Sequence, residues 1–346
     1  MENLLEKMIH DEKSEELARL DAINIVNSLF AELLDREKDI LSRRFGLKGD
    51  KGETLEKIGS LHKLTRERVR QIEAASIKKI KKLENLESYI STLKQTVGNL
   101  LSEHGGMIRR DYLLDILTVM ALEINNESDP SDASYDKNRR MYRNHFNFLI
   151  SKLMGDDLEF VSETDDFNPA FKMKNEPVKH LEDLASDLLK KVDVLKKTFT
   201  TQELLDLLKK LEAYNKHAGK LNPATSADIT PVFKSAVFPD KAEVINSNKI
   251  LYSLMQSVKN LEQNNYGEWG LADWEEVKPK TVNDKIYLIL KHEGKPLHFT
   301  EIAKKINDMK FDKKTANAAT VHNELILDDR YVLTSRGTYG LKSWQK

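Results

Sequence analysis

The chain has 346 residues, 40% of them apolar and 32% charged, with a formal net charge of −1 and no cysteine. Disulfides and thiolate metal sites are thereby excluded, a reducing cytoplasm is the expected compartment, and the length suits about two to four domains. The charge is unevenly placed: residues 66–82 carry seven basic against two acidic side chains, whereas residues 1–35 carry nine acidic against three basic ones. A basic block inside a neutral chain is a pattern worth following toward nucleic acid.

In chain order, residues 1–29 read as an acidic helical extension that lacks the basic-flanked apolar core of a signal peptide. LLDREKDILSRRFGL (33–47) predicts a helix stopped by Gly46. After the loop KGDKG, TLEKIGSLHKL (54–64) predicts a short helix from Thr54, with Gly59 in or before a tight turn. LTRERVRQIEAASIKKIKKL (64–83) predicts a longer helix capped by the Thr65 hydroxyl, with Arg68 where a capping box would place Glu.

At about 100° per residue, Val69, Ile72, Ile77, Ile80 and Leu83 fall on one stripe of this helix and Glu67, Arg70, Gln71, Ala74, Lys78 and Lys81 on the other side. The outer side offers forked hydrogen-bonding groups first (Arg66, Glu67, Arg70, Gln71) and point charges later (Lys78, Lys79, Lys81, Lys82). That order suits a helix whose first turns enter a major groove, where Arg pairs with guanine, Gln with adenine and a carboxylate with cytosine, while the lysines meet phosphates. A solvated amphipathic helix shows the same pattern. The preceding short helix and turn favour a helix-turn-helix.

LLDREKDILSRRFGL followed by TLEKIGSLHKLTRERVRQIEAASIKKI resembles region 4 of sigma-70 family RNA polymerase sigma factors, over about residues 30–83. The resemblance implies that Arg66, Glu67, Arg70 and Gln71 read bases of the upstream (−35-type) promoter element, and that Arg68, Lys78, Lys79 and Thr54 meet phosphates. It also implies that an apolar surface around Leu34, Ile40 and Leu41 meets the polymerase flap. The sigma domains that bind the polymerase clamp and melt the promoter are expected to be missing.

Further along, YLLDILTVMALEI (112–124) is the most apolar run, but it holds Asp115 and Glu123 and is too short to span a bilayer, so no membrane partner is expected. The last segment shows the clearest module. TVNDKIYLILKHEGKPLHFTEIAKKIND predicts two helices around a Gly-Lys-Pro turn; TANAATVHNELILDDRYVLTSRGTYGLKSW adds a third helix and two β-runs joined at Arg336-Gly337. PLHFTEIAKKI, TVHNELILDDRYVL and RGTYGLKSW resemble the HARE-HTH domain across about residues 280–345, a family found in the delta subunit of bacterial RNA polymerase, some restriction enzymes and chromatin proteins.

Two weaker copies precede it. SEHGGMIRRDYLLDIL with NHFNFLISKLMGDDLEFVSE, and KKTFTTQELLDLLKK with NKILYSLMQSVKNLEQNNYGEWGLADW, follow the same scheme, and YGEWGLADW echoes TYGLKSW. The polar stretches 124–138 and 215–231 read as loops, and EEVKPKT (275–281) as a linker. The expected organisation is an extension (1–29), a sigma region 4-like unit (30–85), winged-helix-like units (86–178 and 179–276) and a HARE-HTH-like domain (280–346). The fold class is therefore mainly α: a helix-turn-helix followed by winged-helix-like units, the last with a small β-hairpin.

Trp269, Trp274, Tyr339 and Trp344 read as wing-closing core aromatics, with base stacking as the alternative. His298 and His322 read as locally hydrogen-bonded, Arg336 as a wing tip that can enter a minor groove, and Lys304, Lys305, Lys310, Lys313 and Lys314 as a solvated basic surface. The expected partners are double-stranded DNA and RNA polymerase (its flap, and its core through the last domain), with no small-molecule substrate, cofactor or metal. A polymerase-associated adapter with little free DNA binding is the alternative. No P-loop, HExxH or nucleophile elbow is present, so catalysis is not expected.

Overall fold

The computed structural model describes residues 20–221, 229–235, 237–238 and 240–345. Most of the expected acidic extension and the middle of the 215–231 insertion lie outside the described residues. The chain forms two compact units, one of residues up to 181 together with 218–257, the other of 182–217 together with 258 onward. The stretch 179–276 is thus shared between the two.

In the first unit, α1 (Ala22–Phe30) starts at Asp21, whose carboxylate accepts from the Ile23 and Asn24 N–H groups at 3.0 and 3.1 Å. Helix α2 (Asp35–Phe45) ends at Gly46 with φ 66°, the left-handed stop that its sequence predicts. Thr54 and Thr65 cap α3 (Leu55–His62) and α4 (Arg66–Lys81), each hydroxyl accepting from the N–H three residues on at 3.2 Å. These three helices enclose Ile40, Ile58 and Val69, each 0% exposed, with Leu55, Leu64 and Ile72 packed around them.

Of its two expected places, in or before the turn, Gly59 takes the second. It is buried inside α3, and the left-handed residue that closes the turn is Lys63, φ 54°. A Cβ at position 59 would stand 2.7 Å from the Leu64 carbonyl oxygen, so glycine allows the turn to fold back on its helix without forming it. On α4, Val69 and Ile80 are buried while Ile72, Ile77 and Leu83 are partly so. Ser76 fills the middle of that stripe, fully buried, its hydroxyl donating to the Ile72 carbonyl at 2.8 Å.

The unit continues as α5 (Leu86–Glu103), β1 (Met107–Arg109), α6 (Arg110–Ile124), α7 (Tyr135–Leu153), β2 (Leu158–Val161) and β3 (Ala170–Met173). The strands are antiparallel in the order β1-β3-β2, with Ile108 and Phe160 both opposite Phe171. The chain then forms α8 (Lys179–Leu195), α9 (Thr201–Lys209), the short helices α10 (Glu212–Lys216), α11 (Ala218–Leu221), α12 (Thr230–Phe233) and α13 (Ala242–Ser247), and α14 (Lys249–Ser257). The hairpin β4 (Leu261–Gln263) and β5 (Trp269–Leu271) follows, and Phe199 bridges antiparallel to Trp269.

The last module runs α15 (Val282–Glu293), β6 (Leu297–His298), α16 (Phe299–Met309), α17 (Ala318–Leu327), β7 (Tyr331–Ser335) and β8 (Thr338–Leu341). Its sheet order, β6-β8-β7, repeats that of the first: helix, short strand, two helices, hairpin, with the final strand in the middle. Helix-turn-helix and winged-helix units on a mainly helical chain are what the sequence leads one to expect.

The aromatics divide. Trp269 is 2% exposed and donates its Nε1–H to the Thr201 hydroxyl at 2.9 Å, and Tyr339 is buried. Trp274 is half-buried and Trp344 is exposed, a correction to the reading of both as core. Each lies four residues after a glycine: a Cβ on Gly270 or Gly340 would come within about 3.2 Å of that tryptophan ring, so the Gly-x-x-x-Trp spacing marks a ring laid on bare backbone in both wings. The stretch 275–281 is tied down within its unit, with Val277 buried, Lys278 paired to Glu262 at 2.8 Å and Glu276 to Lys291 at 2.6 Å.

Asp328, just past α17, accepts from Arg330, from the Arg330 N–H and from Asn283 at 2.8 Å. These bonds, the Arg330 pair foremost, hold its carboxyl down to about 2 against the opposing effect of burial. The folded-state pKa is depressed, so the stabilisation is complete above about pH 4 and is lost as pH falls toward 2. Asp328→Asn should therefore lower stability of the last module at neutral pH and flatten its acid limb, read from denaturant midpoints at several pH values. In the first unit, Ile58→Ala should destabilise the helix-turn-helix by about 2–4 kcal/mol, read from hydrogen exchange of α2–α4 amides.

Candidate nucleic-acid interface

The helix-turn-helix is oriented by polar ties on its inner flank. Asp39 accepts from Arg43 Nε at 2.8 Å and from His62 Nε2 at 2.9 Å, joining α2 to α3. Burial opposes ionisation of Asp39, but the bonds from Arg43 and His62 outweigh it and keep the carboxyl below its usual range. Arg36 donates to the His62 carbonyl at 2.8 Å and Arg44 to the Glu53 carbonyl at 3.0 Å; Arg44 also pairs with Glu73 of α4 at 3.3 Å.

With α4 held this way, Arg66, Glu67, Arg70 and Gln71 are all exposed on its first turns. They are engaged with one another. Arg70 donates to both Glu67 oxygens at 2.8 and 2.7 Å, Gln71 donates to Glu67 at 3.5 Å, and Arg68 donates to Gln71 at 3.1 Å. The Arg70 hydrogen bond lowers the Glu67 pKa and Glu67 in turn raises that of Arg70, so both are charged at neutral pH. Since the two side chains are 60% and 58% exposed, the pair contributes little stability and opens readily. Arg66 reaches only to 3.9 Å from Glu56.

The phosphate candidates divide. Thr54 and Arg68 are exposed, the Thr54 hydroxyl being used as a cap, and Lys78 is exposed with no carboxylate partner among the described residues. Lys79 instead bonds both oxygens of Glu37 at 2.8 and 3.0 Å, and Glu37 also accepts from the Leu34 N–H, so this lysine ties the end of α4 to the start of α2. The Lys79 hydrogen bond is the chief reason that the Glu37 pKa is lowered.

The apolar surface expected around Leu34, Ile40 and Leu41 needs correction. Ile40 and Leu41 are 0% exposed, consumed by packing on the inner side of α2, and Leu34 alone stands out at 67%. Leu61 of α3, which no sequence pattern singles out, is 55% exposed.

In the last module, Arg336 is exposed at the hairpin tip. His298 caps α16 and shares a 2.7 Å hydrogen bond with the Thr300 hydroxyl, and His322 Nε2 lies 3.1 Å from the Tyr339 hydroxyl, so both histidines are locally bonded. Lys305 pairs with Glu293 at 2.8 Å, while Lys304, Lys310, Lys313 and Lys314 are exposed along the module. Among the described residues no group of three or more His, Asp or Glu side chains is placed to hold a metal ion, and no helix is long and apolar enough to cross a membrane.

Comparison with known proteins agrees with this geometry in two places. Residues 29–82 match the family model for sigma-70, region 4, and residues 280–344 match that for HARE-HTH, the helix-turn-helix domain described for ASXL and restriction endonuclease proteins. The RNA polymerase sigma factor SigA of Microcystis aeruginosa is 44% identical over 69 residues, 20% of this chain and 16% of that protein. SigA of Lactococcus lactis subsp. cremoris is 55% identical over 47 residues (14% and 13%), and the sigma factor RpoD of Helicobacter pylori is 49% identical over 55 residues (16% and 8%). The chain spans about one sixth of the length of the first of these relatives. No solved structure gives a significant match. The two domain matches support a DNA-binding, transcription-related role.

Lys79→Ala should lower the stability of the helix-turn-helix by up to about 1 kcal/mol, because half of that lysine is in solvent, and the loss should vanish in a Glu37→Gln background.

Proposed function

We propose that this chain is a transcription factor that reads −35-type promoter DNA through α4 and contacts RNA polymerase. One observation carries the reading: the segment that matches sigma-70 region 4 displays Arg66, Glu67, Arg70 and Gln71 together on an open helix face. These four would read bases, with Thr54, Arg68 and Lys78 on phosphates and Lys79 joining them only by releasing Glu37. To engage a base pair, Arg70 exchanges its carboxylate partner for guanine, and Glu67 becomes free to accept from cytosine N4. The polymerase contact is supported by the sigma-factor relatives and by the HARE-HTH match at the other end of the chain, where Arg336 is the candidate wing contact.

A second reading, a polymerase-associated adapter with weak free DNA binding, draws on the mutual pairing of the reading groups and on the exposed Leu34 and Leu61 of the same helix-turn-helix. Selection of duplexes from a random pool, with and without RNA polymerase, separates the two: enrichment of one sequence by the chain alone supports the first, and enrichment only with polymerase supports the second. On the selected duplex, Arg70→Ala should cost about 1–3 kcal/mol and relax preference at one position. Lys78→Ala should weaken all duplexes alike and lower the salt slope by about one. Equal losses from both variants on specific and random DNA would contradict the assigned roles.

A further inference from the structure

We propose that the long helix α7 is the seat on which the helix-turn-helix is fixed, with Asn144 and Arg140 as positioning residues for α4, so that this winged unit supports DNA reading without taking part in it. The inference rests on the DNA-reading role proposed above.

In a helix-turn-helix the second helix of the pair enters the groove. By order of elements, α6–α7 and α16–α17 are such pairs in the two complete winged modules. The second helices have opposite fates. Half of the ten residues of α17 are exposed, whereas of the 19 residues of α7 only Asp136, Lys137, Arg140 and Ser151 are. Three of those four lie on its first two turns, and there Lys137 and Arg140 are laid against the loop at Gly49 rather than left open to a groove.

One side of α7 is covered by the helix-turn-helix itself. Asn144 Nδ2 donates to the Gly46 and Asp50 carbonyls at 2.7 and 3.1 Å, and Arg140 Nε donates to the Gly49 carbonyl at 3.0 Å. All three acceptors belong to the loop between α2 and α3. Gly49, at φ 88°, lies flat on α7: a Cβ there would stand 3.0 Å from Met141 Cγ and 3.3 Å from Lys137 Cγ. Below the loop, Phe148 of α7 stacks tilted on Phe45 at 4.9 Å and edge-on against Phe30 at 5.7 Å. Three directed hydrogen bonds and an aromatic contact fix both translation and rotation of the loop on α7. The loop is continuous with α2 and α3, and α2 is tied to α4 through Glu37–Lys79 and Arg44–Glu73, so α4 inherits the orientation of its seat.

The chain has no native cysteine, so paired labels can be placed cleanly. Spin labels at A75C on α4 and S151C on α7, both exposed positions of the full chain, should give one narrow distance distribution by pulsed electron–electron resonance. N144A combined with R140A should broaden it severalfold while α4 remains protected from hydrogen exchange. A broad distribution in the otherwise native chain overturns the seat, and an unchanged narrow one in the double variant overturns the positioning role of the two residues. On a selected duplex, K137A should leave the salt slope unchanged where K78A lowers it; an equal loss would place α7 on the DNA and sink the supporting role. Should no duplex be bound, the DNA-reading proposal fails by itself, and the label distances still decide whether the seat exists.

Discussion

The first unit is governed by how little its helix-turn-helix can bury. Ile40, Ile58 and Val69 are the fully enclosed members of that core. A segment of some fifty residues keeps a large share of its surface in water and is marginal when left to its own packing. The structure makes up the difference from outside. Phe30 and Leu29 of α1 and Phe148 of α7 extend the apolar interior beyond the three helices. Arg44, Asp39 and His62 join helices through hydrogen bonds that water cannot easily replace at half-buried positions, and the exposed Arg36 adds a bond to the His62 carbonyl. The outer side of the first turns of α4 thereby stays free of ties to the other helices, while Lys79 near its end is tied to Glu37.

Much of this was legible in the sequence, for local reasons. Thr54, Thr65 and Gly46 mark helix ends through groups within four residues of themselves, and each does what its chemistry requires. The hydrophobic stripe of α4 points inward at Val69 and Ile80 because periodicity reports which side of a helix is apolar. The echo between YGEWGLADW and TYGLKSW corresponds to a tryptophan laid over Gly270 and Gly340.

Much of what could not be read depends on partners far along the chain, and the rest on which of several neighbours a side chain reaches. Lys79 sits on the charged flank of its helix wheel, yet its partner is Glu37, on another helix altogether. Ser76 looks polar in sequence and is enclosed because its hydroxyl is satisfied one turn back on the same helix. Ile40 and Leu41 read as surface only through family likeness, and packing consumes them. Asn144 and Arg140 show no local pattern at all, since the carbonyls they hold lie roughly ninety residues earlier. The exposed state of Arg66, Glu67, Arg70 and Gln71 followed from periodicity, but their mutual hydrogen bonds did not, because side-chain choice among several neighbours is a matter of three-dimensional reach.

If α4 reads DNA as proposed, the doubly bonded Arg70–Glu67 pair would have a kinetic consequence for the search along a duplex. While the two are joined, the guanidinium charge is cancelled at short range, and the helix tip holds random sequence less firmly than its residue types alone suggest. Only a base step that offers an acceptor and a donor together repays the exchange of partners. On the proposed reading, dwell time would then depend on sequence more than on charge at this one position.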